Sequence, residues 1–108
     1  MALKFKKGVT LRGLKAETLL AMQVATDVVK EQEEGKDCII TSITDGVHTQ
    51  GSVHKDGEAF DMRAHHLSNP TKVAAALKAR LPSGYDVILE SLGKPNMHIH
   101  VELSPERN

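Results

Sequence analysis

Ala21, Val24, Ala25 and Val28 recur at helical spacing while Lys30, Glu31, Glu33 and Glu34 take the polar positions, which predicts an amphipathic helix from about Lys15 to Glu34. Gly35 supplies its stop. The acidic run at its end reads as a solvated helix terminus, although acids there oppose the helix dipole. Cys38 to Ile43 is a short apolar, β-branched run and predicts a strand. A polar, glycine-bearing loop follows, and Ala59 to Arg63 predicts a second strand after the Gly57 turn. Asn69 before Pro70 is an N-cap and first-turn signal, and Val73, Ala74, Leu77 and Leu81 mark a second helix that stops before Pro82. Tyr85 to Glu90 and Met97 to Leu103 predict two further strands, joined as a hairpin by the turn at Gly93 and Pro95. The order predicts an α+β domain: a small, mainly antiparallel sheet of about four strands with two helices on one face.

Composition narrows the classes. With 108 residues, no Trp, two Phe and one Tyr, the chain is expected to form one domain over 1–108 with a modest aliphatic core. Fourteen basic and fourteen acidic side chains give no net charge, which argues against a nucleic-acid binder or a polybasic membrane anchor. Lys4, Lys6 and Lys7 read as a solvated N-terminal arm. Cys38 stands alone, so no intrachain disulfide forms, and its neighbours Ile39 and Ile40 suggest a buried thiol. No run of signal-peptide or membrane-span length is present. The expectation is cytoplasmic synthesis without export, with lysis or packaging into a virion as routes to a site of action outside.

The last strand carries the clearest chemistry. Met97, Ile99, Val101 and Leu103 alternate with His98, His100 and Glu102, so period-two geometry sends the apolar set to the core and the ionisable set to the other face. The two imidazoles share one face, their Cα atoms roughly 6.6 Å apart. Upstream, Ser52-x-His54-x-x-Gly57-x-Ala59-x-Asp61 offers a histidine and an aspartate across a glycine turn. Imidazoles with a carboxylate and an open position are the donor set of a catalytic zinc site, whereas closed structural sites favour thiolates. His54, Asp61, His98 and His100 are therefore all candidate ligands.

At these residues the chain resembles the zinc D-Ala-D-Ala carboxypeptidases and L-alanyl-D-glutamate endopeptidases of the hedgehog/DD-peptidase fold. The ten-residue motif and His98-x-His100 match the two signatures of that group, and Ser42 to Arg63 with Val87 to Glu102 is similar to its small phage members. The resemblance implies that fold, one zinc ion held by His54, Asp61 and His100, and His98 beside the metal, orienting water or stabilising the oxyanion. It implies hydrolysis of a peptide bond in bacterial peptidoglycan stem peptide. Phage structural proteins are the other partners it suggests, with a virion-associated enzyme and a free lysis enzyme as alternatives.

The chain also departs from the pattern. Many members of the group place an acidic base three residues before the last histidine, where this chain has Met97. Glu90 is the substitute we favour, because hairpin pairing can bring it to His98; Glu102 ranks lower, one pleat further on. An arginine that often precedes the first motif, anchoring substrate, is missing from Ser42 to His48. His48 and Ser52 could contact substrate, although Ser52 also suits a backbone-bonding loop role. His65 and His66 are expected to be exposed, and Arg63 either supports Asp61 or forms a plain ion pair. The rival from another class is a non-catalytic, zinc-stabilised structural or binding protein of a phage particle. A further rival has no metal, its histidines being polar surface.

Overall fold

In the computed structural model, residues 2–9, 11, 14–43 and 59–103 are described. The chain runs β1 (Leu3–Phe5), α1 (Ala16–Gln32), β2 (Cys38–Ile43), β3 (Ala59–Arg63), α2 (Pro70–Arg80), β4 (Tyr85–Glu90) and β5 (His98–Leu103). The class is α+β as expected, but the sheet is mixed and has five strands, in the order β1-β2-β3-β5-β4. β1 pairs parallel to β2, and every other pairing is antiparallel.

The additional strand corrects the reading of Lys4 as part of a solvated arm. Leu3, Lys4 and Phe5 lie opposite Cys38, Ile39 and Ile40. The Cys38 N–H donates to the Ala2 carbonyl at 2.9 Å, and the Lys6 N–H to the Ile40 carbonyl at 2.8 Å. The Lys4 ammonium meets the Asp37 carboxylate at 2.8 Å. Backbone bonds to a remote strand, with no local periodicity behind them, hold this edge.

One face of the sheet carries the core. Ile40, Ile43, Phe60, Met62, Ile99 and Val101 are buried and form one cluster with Ala21, Met22, Ala25 and Val28 of α1 and Val73 and Leu77 of α2. Cys38 is buried in the same cluster, as its apolar neighbours suggest. At α2, the Asn69 side chain accepts from the Lys72 N–H at 3.1 Å and Pro70 opens the helix. That is the predicted cap, and it satisfies one of the free amides of the first turn.

The acidic end of α1 is not wholly solvated. Glu33 is 4% exposed, and its two carboxylate oxygens accept the Ser68 and Asn69 N–H groups, each at 2.8 Å. The side chain leaves its own helix terminus, where its charge is unfavourable, and reaches the N-terminus of α2, where the dipole and free amides favour it. Glu31 is exposed and pairs with Arg80. His66 also departs from expectation: it is half-buried, and its Nε2 donates to the Asp37 carbonyl at 2.8 Å.

Candidate metal centre on the open sheet face

The sheet face away from the helices collects the ionisable residues. Period two along β3 puts Asp61 and Arg63 there, and along β5 it puts His98, His100 and Glu102 there. Register then fixes who meets whom. His98 lies between Glu90 of β4 and Arg63 of β3, while His100 lies between Ile88 and Asp61. The irregular register of β2 between Ile40 and Ser42 leaves Thr41 bonded through Oγ1 to the Asp61 carbonyl at 3.3 Å.

His98 contacts the Glu90 carboxylate through Nε2 at 2.8 Å and the Asn96 carbonyl through Nδ1 at 2.9 Å. Its Nε2 is 3.9 Å from Asp61 Oδ1. Both ring nitrogens lie against oxygen atoms of Asn96 and Glu90, surroundings that favour the charged ring. Burial opposes that charge, but the Asn96 carbonyl and the Asp61 and Glu90 carboxylates outweigh it and raise the pKa.

His100 is still more tightly held. Its Nδ1 lies 2.8 Å from Asp61 Oδ1 and its Nε2 2.8 Å from Glu102 Oε1. The Asp61 hydrogen bond first, then Glu102, raise its pKa to about 9 against the opposing effect of burial. Both ring nitrogens are thus engaged by carboxylates, and among the described residues His100 does not belong to the grouping whose ligand atoms lie close enough together to share an ion.

A second grouping shares Asp61. One ligand atom each of Asp61, Glu90 and His98 lies within 4.8 Å of the others, which makes this triad a possible metal site in its own right. Spacing leaves His98 among the candidate ligands; the family resemblance puts it beside the metal instead, and expected hairpin pairing puts Glu90 forward as the base. The structure brings Glu90 to His98 as hairpin pairing suggested, and it brings Asp61 to His100. Glu102, ranked lower as a base, is instead bound to His100. His48, Ser52 and His54 lie outside the described residues.

Met97 cannot stand in for an acid. It is partly buried against the core, and its carbonyl accepts the Ala64 N–H at 3.1 Å, so it anchors the turn to β3. Beside the site lies a cleft of about 380 Å³ lined by Lys6, Thr41, Asp61, Arg63, His65 and His98 together with the turn at 95–97. Its size is at the small end of the ~300–1,000 Å³ range of ligand pockets. Sequence reading missed Lys6 and His65 as cleft residues. Their only signals were a lysine at a strand end and a histidine after β3, neither of which reports spatial neighbours.

No family model, curated protein or solved structure matches the chain. Among the described residues no helix is long and apolar enough to cross a membrane.

Proposed function

We propose that this protein is a zinc-dependent peptidase acting on peptidoglycan stem peptides, with a hedgehog/DD-peptidase-like fold and with His54, Asp61 and His100 as the metal ligands. The observation that carries the proposal is the placement of Asp61, His98, His100 and Glu90 on one open sheet face beside a cleft. The match of Ser52-x-His54-x-x-Gly57-x-Ala59-x-Asp61 to the motif of that group supplies the third ligand and the reaction class.

When bound, zinc supplies Lewis acidity, lowering the pKa of water toward about 7 and polarising the scissile carbonyl. Asp61 presents Oδ1 to the His100 side of the site, and β3–β5 register holds that pair in place. Glu90, hydrogen-bonded to His98, is the proton carrier: it takes a proton and returns it to the leaving amine. His98 is oriented by the Asn96 carbonyl, and its positive charge faces the anion that develops on the carbonyl oxygen.

The test is direct. Zinc-loaded protein is incubated with purified peptidoglycan of several chemotypes, and new amino termini are counted for wild type, Glu90→Ala and His98→Ala. New termini from wild type and their loss in both variants support the reading. No cleavage of any chemotype sinks it.

A second reading rests on the Asp61, Glu90 and His98 grouping. If Glu90 and His98 ligate the ion, no carboxylate is left beside His98 to move a proton, and the metal stabilises a non-catalytic protein of a phage particle. The hydrophobic Met97, where members of the group carry an acid, favours this reading. Zinc affinity separates the two: Glu90→Gln weakens it only if Glu90 is a ligand.

A further inference from the structure

Three adjacent strands each send one donor to the same point of the open face. Asp61 comes from β3, Glu90 from the end of β4 and His98 from the start of β5, where register sets it opposite Glu90. His98 Nε2 lies 2.8 Å from Glu90 Oε1 and 3.9 Å from Asp61 Oδ1, and one ligand atom of each residue lies within 4.8 Å of the others. All three side chains reach solvent, with exposures of 22% for Asp61, 24% for His98 and 47% for Glu90. An ion therefore enters from the cleft side, which Asp61 and His98 line, without opening the core.

A second, independent contact has the form that metal-binding imidazoles need. The Asn96 carbonyl is 2.9 Å from His98 Nδ1. A ligating histidine usually gives its other ring N–H to a carbonyl or carboxylate, which fixes the tautomer and aims the remaining nitrogen at the ion. Here that nitrogen is Nε2, the one that faces Glu90 and Asp61. Behind Asp61, Thr41 Oγ1 donates to its backbone carbonyl at 3.3 Å and steadies β3. Two carboxylates and one imidazole suit zinc or manganese and leave positions open to water.

We propose that Asp61, Glu90 and His98 form a second divalent-cation site, sharing only Asp61 with the ion that the peptidase reading gives to His54, Asp61 and His100. This goes beyond both readings above, each of which holds one ion. A carboxylate has two oxygens and bridges the metals of many paired sites. The second ion is the weaker of the two. Arg63, opposite His98, and Lys6 in the cleft repel it, and the first ion already draws on the charge of Asp61. Filling the site withdraws Glu90 from proton transfer and His98 from the developing oxyanion, so excess metal inhibits cleavage. That consequence rests on the peptidase reading, whereas the site itself needs only the three strands.

Calorimetric titration of the metal-free full chain with zinc, followed in parallel by NMR of the histidine ring nitrogens, counts ions without turnover. Wild type is expected to show two binding events, the second weaker than the first. Glu90→Gln and His98→Gln should each weaken the second event by more than about 100-fold, beyond the ~10–100-fold that loss of an outer-shell partner costs, and leave the first within about threefold. His100→Asn should do the reverse, removing the first event and keeping the second. The His98 Nε2 signal should move only with the second equivalent while Nδ1 stays protonated, and unchanged signals elsewhere show that each variant is folded. Two events that both survive Glu90→Gln and His98→Gln overturn the site. A single event also overturns it, and if Glu90→Gln removes that event the triad is the sole centre, as in the second reading above. With the site filled, wild-type cleavage of peptidoglycan should fall with the midpoint of the second event, and an unchanged rate overturns the inhibitory role. Two events without cleavage at any zinc concentration leave the site standing and sink the peptidase reading instead.

Discussion

Glu90 and His98 face each other across the β4–β5 hairpin, the carboxylate Oε1 2.8 Å from the ring Nε2. The pairing follows from register, so it persists as long as the hairpin does. The Glu90 carboxylate is half exposed at the strand end and held to the His98 ring, the placement the proposed base requires. Glu90→Gln is expected to keep the fold and lower the rate of peptide cleavage by roughly 10²–10⁴-fold, the range for loss of a general acid-base. Steady-state rates on one purified peptidoglycan, with zinc affinity measured alongside, check this. A rate unchanged within a few-fold removes Glu90 as the base.

Much of the site was legible because its strands are local and periodic. The alternation from Met97 to Leu103 named the face of His98 and His100, and the hairpin named Glu90 as their neighbour; the structure reproduces both. What escaped were partners brought from far along the chain. β1 is three residues long and has two lysines beside it, so nothing in Leu3 to Phe5 distinguishes a parallel strand from an arm. Glu33 reads as a surface acid because its partners, the Ser68 and Asn69 amides, belong to another helix. Arg63 was read as support for Asp61 or as an ion pair, whereas its cleft environment depends on Lys6, a neighbour that only folding supplies.

Metal binding should be visible as stability. A ligand that binds only the folded chain adds about 2.7 kcal/mol when present at 100 times its Kd, which for a domain near 100 residues is roughly 10–20 °C in Tm. Zinc-loaded protein is therefore expected to melt well above chelator-treated protein by differential scanning calorimetry, and Asp61→Asn, which touches both candidate donor groups, should abolish most of the difference. Equal melting temperatures with and without chelator would favour the reading in which the histidines are mere surface.

Cys38 reports on the fold. Burial in the core raises its thiol pKa to about 11, with a Thr26 hydrogen bond as a smaller opposing influence. Only the thiolate reacts with disulfide reagents. At pH 8 native protein should therefore label slowly, and labelling should accelerate by orders of magnitude across the urea transition. Rapid labelling of the native protein would place Cys38 outside the core.

Glu33 makes acid sensitivity a property of the helix junction. Burial pushes its carboxyl pKa up, but the Ser68 and Asn69 amides and the Lys36 ammonium more than offset this and leave it below the ordinary glutamate value. A depressed folded pKa means that the unfolded chain takes up protons first as pH falls. The stability Glu33 contributes is therefore fully present above the unfolded value of about 4.3 and is lost as pH drops through it toward the folded value. Asp37, held low by the Lys4 ammonium and the Ala2 N–H, adds to the same slope at the β1 edge. Glu33→Gln keeps the shape but turns an amide NH2 toward one of two backbone donors, so one hydrogen bond is lost and a buried amide is left unpaired. The expected cost is about 2–3 kcal/mol at pH 7, read from urea midpoints. Between pH 5 and pH 3.5 the variant should lose less stability than wild type, because the group that titrates is gone. An equal loss in both would assign the acid sensitivity to other carboxylates, Asp37 first among them.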